Sequence, residues 1–177
     1  MSSDIRVVDV LRWVEASKQR PSEQLLNHDT CWNRELIVKL FDGPTPSDRS
    51  DFHINTSPEL FYQFEGDLFC RLLQDGRFQD HTIGPGQMFY IPPLVPHLNR
   101  RPPGSIGLAV HAQRAAGALD AVAWYCESCG HQLHRIDYLF KDLLEQLPPL
   151  VRAFLADEDK RTCARCGWRM PADQGRM

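Results

Sequence analysis

Two stretches of the chain carry side chains that could bind a metal. In "DFHINTSPELFYQFEGD", His53 precedes Glu59 by six positions and Gly66 follows; in "GPGQMFYIPPLVPHLNRR", Gly86 and Pro92 lead to His97. Either histidine, or the glutamate, would on its own read as an ordinary strand or surface residue. Taken together, two imidazoles and one carboxylate occupy one side of a metal and leave up to about three positions open. That arrangement suits non-haem Fe(II), which must hold a substrate and O2 at the same time.

A second constellation is made of cysteine. Cys126 and Cys129 in "YCESCGH" and Cys163 and Cys166 in "RTCARCGW" form two matching CxxC-Gly knuckles. In such a turn both sulfurs reach one metal, backbone N–H groups point at the thiolates, and the glycine tolerates positive φ. Four thiolates suit Zn or a single Fe and leave no position for a substrate, so the expected role is structural. His131 and His134 beside the first knuckle read as ordinary polar residues, and Cys31 and Cys70 as small buried or half-buried ones.

These groups need a scaffold, and the chain offers two textures. Between about 35 and 125, short runs rich in Val, Ile, Phe and Tyr alternate with turn residues, and Asp75-Gly76 between two such runs signals a tight hairpin. Many short strands at this spacing predict a mainly β fold, an antiparallel barrel or sandwich. Helical spacing appears before and after. Val7, Val10, Leu11 and Val14 predict an amphipathic helix over 5–17, and Ile136, Leu139, Phe140, Leu143, Leu144 and Leu147 predict another over 136–147, ended by Pro148-Pro149. Folding that second helix back would bring the CxxC pairs together. The expected organisation is a barrel domain over 1–125 and a metal-binding segment over 126–177 that closes in a loose tail.

At 177 residues with a net charge of −3, the chain is long enough for a real core and too acidic for binding nucleic acid through phosphates. Its first residues carry acids and no long apolar run, so neither a signal peptide nor a membrane span is expected. CxxC pairs without a secretory signal fit the cytoplasm and metal ligation rather than disulfides.

The paired histidine and glutamate motifs resemble those of the cupin superfamily, whose fold is a small double-stranded β-barrel. Many cupins carry a second histidine where this chain has Asn55. Joined to the CxxC pairs, and to "LDAVAWYCESCGHQLHR" and "EDKRTCARCG", the motifs resemble the bacterial 3-hydroxyanthranilate 3,4-dioxygenases over roughly residues 27–168. That resemblance implies Fe(II) held by His53, Glu59 and His97. It implies opening of the 3-hydroxyanthranilate ring by O2 to 2-amino-3-carboxymuconate semialdehyde, which closes to quinolinate, and it implies a homodimer. It places Arg49 near the iron-bound oxygen, Arg101 on the substrate carboxylate and Asn27 in the pocket, and leaves Arg100 as a solvated loop residue. One departure stands out. The family's Val-Ile-Glu-Arg-Gln-Arg segment reads "AVHAQR" here, so a substrate-facing glutamate becomes His111. His111 could serve as acid and base in its place. The change also opens an alternative, the same iron chemistry on another aminohydroxybenzoate or a catechol carboxylate. A non-enzymatic ligand-binding cupin is a third reading, disfavoured by the intact ligand set and the two arginines.

Overall fold

The computed structural model describes residues 6–21, 26–45, 49–141 and 143–172; residue 5 of the first expected helix and most of the expected tail lie outside them. Its strands pair antiparallel throughout, in two sheets. One sheet has the order β1 (Asn27–Asn33), β2 (Leu36–Asp42), β9 (Ile106–Ala112), β4 (Glu59–Glu65), β7 (Met88–Ile91). The other runs β11 (Gln132–Tyr138), β10 (Asp120–Tyr125), β3 (Phe52–Ile54), β8 (His97–Arg100), β5 (Leu68–Gln74), β6 (Arg77–Ile83). This is the antiparallel barrel that the strand spacing predicts. Leu68, Cys70 and Leu72 from one sheet and Phe61, Ile91 and Ala109 from the other close a shared core.

The β5–β6 hairpin turns on Asp75 and Gly76, with Gln74 opposite Arg77. Both turn residues have positive φ, 51° and 72°, the primed geometry that matches strand twist and favours Asp-Gly.

Strand β10, "DAVAWY", is buried along its whole length. Ala121, Ala123 and Tyr125 pack with Phe52, Ile54 and Leu98. Val122 and Trp124 pack on the opposite face, against Leu147, Phe154 and Met170. An unbroken apolar run of this length is what a strand covered on both sides requires. Val122 is the register partner of His53, so the C-terminal elements pack on the sheet face that carries His53. Trp124 stacks on Phe154 at 4.1 Å between ring centres.

Both helix expectations need correction. The first helix, α1, runs Val10–Ser17 and is capped by the Asp9 side chain accepting from the Arg12 N–H. Of the proposed stripe only Val14 is buried; Val7 is 98% and Leu11 72% exposed. The apolar periodicity exists, but most of it meets no partner.

The second helix is displaced along the chain. Ile136 lies in β11, opposite Val122, because the open edge of β10 recruits residues 132–138 as a strand. The helix, α2, runs Leu143–Leu155 with Pro148 and Pro149 inside it. Each proline withholds one backbone N–H from the turn before it, yet neither ends the helix. Gln146 ties down the approach, its side chain accepting from the Lys141 N–H at 2.7 Å and donating to the Leu139 carbonyl at 2.8 Å. A short helix, α3 (Glu158–Arg161), leads to the second knuckle. The pairs are thus joined by β11, α2 and α3, and β11 continues the barrel's own sheet past residue 125. No helix among the described residues is long and apolar enough to cross a membrane.

Candidate active site

Register assembles the site. His53 on β3 sits opposite His97 on β8, and Glu59 on β4 sits opposite His111 on β9. The two sheets present these pairs to each other. His97 Nε2 lies 2.8 Å from Glu59 Oε2, and His111 Nδ1 lies 2.5 Å from Glu59 Oε1. Asn55, at the position where many cupins carry a histidine, donates its side-chain N–H to Glu59 Oε1 at 2.8 Å. Burial pushes the Glu59 carboxyl up, but His97 and His111 together hold it well below the usual range, so it is ionised.

His53 is engaged differently. Its Nε2 is 3.2 Å from Asp51 Oδ2 and touches the Arg49 guanidinium. Burial and the Arg49 charge push the imidazole's pKa down, which favours the neutral form that a metal ligand needs. Arg49 is itself clamped by Asp51, with Nε at 3.0 Å and Nη2 at 2.8 Å from the carboxylate. Burial pushes the Asp51 carboxyl up, but Arg49 and His53 hold it far below the ordinary value.

The donors fit a cation. Glu59 Oε2, His97 Nε2 and His111 Nδ1 are buried without a hydrogen bond, despite the short separations between them. Each such buried atom costs about 1–3 kcal/mol, and a cation beside Glu59 Oε2 and His97 Nε2, 2.8 Å apart, would satisfy those two. Imidazole and carboxylate together suit Fe(II). The set is more open than the thiolates: among the described residues, only the four cysteines bring three or more such donor atoms within 4.8 Å of one another.

Beside these donors lies a pocket with Phe41, Phe61, Ala109 and Phe140 as apolar walls and Arg49, Arg101 and His111 as polar ones. Arg101 is 5% exposed, its Nη1 donates to Gln63 Oε1 at 2.7 Å, and its guanidinium lies 5.3 Å from the Phe41 ring centre. Burial alone lowers its pKa, to about 10. Among the described residues no carboxylate forms an ion pair with it. Leu26 and His28 line the pocket on either side of Asn27, so strand alternation turns Asn27 to the opposite face.

Several supporting residues escaped the sequence reading. Arg100 is a strand residue, not a solvated loop: its Nε and Nη2 donate to the Arg49 carbonyl at 3.0 and 2.6 Å, setting the backbone from which Arg49 projects. Asp120, fully buried, anchors the loop between His53 and Glu59 by accepting from the N–H and hydroxyl of Thr56, both at 2.9 Å, and it pairs with Arg114. Asp51 and Asn55 sit two residues either side of His53, and nothing in their identity alone marks them as its supports. Gly107 makes room for the arginine. A Cβ there would lie 2.1 Å from Gln63 Oε1 and 2.9 Å from Arg101 Nη1. Gly107→Ala is therefore expected to displace the Gln63–Arg101 pair and raise KM for a carboxylated substrate with little loss of metal. Steady-state kinetics beside metal analysis would check this, and an unchanged KM would mean the pair does not hold Arg101 in its working position.

The cysteine knuckles match each other closely. Cys126 Sγ is 3.5 Å from Cys166 Sγ, and Cys129 Sγ is 3.7 Å from Cys163 Sγ. In each knuckle the glycine N–H closes the turn on the first cysteine's carbonyl, at 2.8 Å for Gly130 and 2.9 Å for Gly167, with φ of 69° and 75°. The Trp168 backbone N–H lowers the Cys166 thiol to about 7, the direction metal binding needs. Gly130 also meets the barrel, because a Cβ there would lie 2.7 Å from the Gly76 carbonyl of the hairpin tip. His131 and His134 are not in the cluster, and His134 instead stacks near Trp124 and Phe154. Cys31 and Cys70 are buried, as expected.

The family model described as 3-hydroxyanthranilic acid dioxygenase matches residues 1–155. The chain belongs to this family. It is 35% identical over 173 residues to the 3-hydroxyanthranilate 3,4-dioxygenase of Shewanella woodyi, covering 97% of this chain and 90% of that one. The enzyme of the same name from Ruegeria pomeroyi is 38% identical over 157 residues, covering 88% and 86% of the two chains. That from Candida albicans is 36% identical over 160 residues, covering 90% and 92%. The family match runs through both halves of the barrel and into α2, so it includes every histidine, glutamate and arginine of the site described above.

Proposed function

We propose that this chain is a ring-cleaving dioxygenase that converts 3-hydroxyanthranilate and O2 to 2-amino-3-carboxymuconate semialdehyde, with Fe(II) held by His53, Glu59 and His97. The observation that carries the reading is Arg101, a buried guanidinium without a carboxylate partner among the described residues, in the same pocket as the converging donors. A cation left in that state calls for an anionic ligand. A ring carrying one carboxylate supplies it. Fe(II), when bound, lets electron density pass from the ring to O2, both of whose atoms enter the product.

The chain's own residues bind and orient. Arg101 grips the carboxylate through two parallel hydrogen bonds, which its neutral partner Gln63 does not oppose. Arg49, aimed by the Asp51 clamp and by Arg100, would face the substrate's hydroxyl oxygen next to the residues that would hold the metal. Phe41, Phe61 and Phe140 flank the ring and keep water from it. The cysteine site, holding Zn or Fe, serves structure.

The test loads the protein with Fe(II) without oxygen, then admits O2 with a panel of aminohydroxybenzoates and catechol carboxylates. Consumption of one O2 per 3-hydroxyanthranilate, faster than with the other rings, is the expected result. No uptake with 3-hydroxyanthranilate by fully iron-loaded protein would overturn the reading. Arg101→Lys keeps the charge but loses the fork, so kcat/KM should fall roughly ten- to a hundredfold, mostly through KM.

A further inference from the structure

Resting on that reading, we propose that Gln63 sets the preference for a carboxylated ring: it holds Arg101 with a neutral acceptor and so leaves the guanidinium's charge to the substrate. Strand β4 makes this possible. Glu59, Phe61 and Gln63 alternate onto its buried face, so the strand that offers a candidate metal ligand and a pocket wall also carries the residue behind Arg101. Gln63 is fully buried and stands opposite Gly107 on β9. With no Cβ at Gly107, the Gln63 amide has room to meet Arg101 Nη1 at 2.7 Å. Arg101 lines the pocket and Gln63 does not, so Gln63 acts on the substrate through Arg101.

The direction of the amide is fixed. Its Nε2 donates to the Glu65 and Gly66 carbonyls, both at 3.2 Å, and to Ser105 Oγ at 3.1 Å. Backbone carbonyls only accept, so the nitrogen must face them and the oxygen must face the guanidinium. Arg101 also donates from Nη1 to Ser105 Oγ at 3.2 Å and from its backbone N–H to Thr45 Oγ1 at 2.8 Å. All of these acceptors are neutral. They hold Arg101 in place without cancelling its charge. A glutamate in place of Gln63 would set one oxygen on Arg101 and cancel that charge, and it would turn the other oxygen against two carbonyls. A substrate carboxylate would then gain little from a guanidinium already paired.

The test isolates the carboxylate. The Fe(II)-loaded protein is titrated without O2, once with 3-hydroxyanthranilate and once with 2-aminophenol, the same ring lacking the carboxylate. Both rings present the same oxygen and nitrogen to the iron, so the ratio of their Kd values reports on Arg101. The parent should favour 3-hydroxyanthranilate by at least about tenfold. Gln63→Glu should lower that ratio roughly ten- to a hundredfold, with 2-aminophenol affinity held within about threefold. A merely structural fault would weaken both rings alike. Ser105→Asp brings the same charge to Arg101 from a loop position and carries the test if Gln63→Glu does not fold. Gln63→Met, neutral and of similar size, should keep the parent's ratio. A folded Gln63→Glu or Ser105→Asp with the parent's ratio would overturn the inference and leave the dioxygenase reading standing. So would a Gln63→Met that loses the preference as fully as Gln63→Glu, because position and not neutrality would then be what Gln63 supplies. A parent that binds both rings equally, or neither, sinks both readings together.

Discussion

Glu59→Ala is expected to remove one metal per chain and to bring ring-opening turnover to background, with the barrel still folded. Glu59 is the single carboxylate on which His97, His111 and Asn55 converge, so its loss scatters every donor around it. The stability effect should be small by comparison. Truncation releases a buried, ionised group and leaves Asn55 with an unmet N–H, terms of opposite sign that are each on the order of 1–3 kcal/mol. The measurement is metal content after Fe(II) loading, with the cysteine-bound metal as an internal standard. The ratio should fall from about two metals per chain to about one, as ligand loss at a single site demands. His53→Ala and His97→Ala should behave alike. Asn55→Ala should keep the metal with affinity weakened roughly ten- to a hundredfold, the usual effect of removing a group that orients a ligand. Full iron and full turnover in Glu59→Ala would mean the metal lies elsewhere.

What stands out in the sequence is the set of candidate ligands; what does not is the support around them. His53, Glu59, His97 and the four cysteines stand out because metal ligation, the role proposed for them, restricts both residue type and spacing. The hairpin at Asp75-Gly76 is visible for a similar reason, since few residues accept positive φ twice in a row. Arg100 and Asp120 escaped because their role depends on a partner far along the chain: Arg100 meets the Arg49 carbonyl and Asp120 meets Thr56. The misplaced second helix follows from the same limit. Ile136 satisfies a helical period and a strand period equally well, and the open edge of β10 decided between them. Gly107 carries no mark in the sequence, because its role depends on the Gln63 side chain lying 2.1 Å from where a Cβ would be. His111 was marked as unusual by comparison with a motif, but only the paired register with Glu59 shows what it touches.

Cys126→Ser should release the second metal and lower stability by several kcal/mol, while activity per barrel iron stays near that of the parent. Structural zinc in small finger peptides is associated with apparent binding energies of about 10–16 kcal/mol, more than many domains' entire net stability. Here the loss should be smaller, because the segment keeps an apolar core of its own around Trp124, Leu147, Phe154 and Met170. A loss of about 4 kcal/mol would lower Tm by roughly 8–16 °C in a chain of this size. Cys126 should matter more than Cys166. It is fully buried at the end of β10, the strand that lies between β3 and β11, whereas Cys166 is exposed at the far side of the cluster. The damage should also spread in a definite direction. Gly130 rests on the Gly76 carbonyl, and Glu127 pairs with Arg71 at 2.9 Å, so a loosened knuckle frees the β5–β6 hairpin before it reaches β3 or β4. Hydrogen exchange should therefore rise first at the hairpin tip and in residues 126–131, with the strands carrying His53 and Glu59 protected for longer. Thermal melts, exchange rates and turnover per barrel iron together make the test. If the folded variant keeps its barrel iron but loses all activity, the thiolate site takes part in the chemistry and is not merely a clamp.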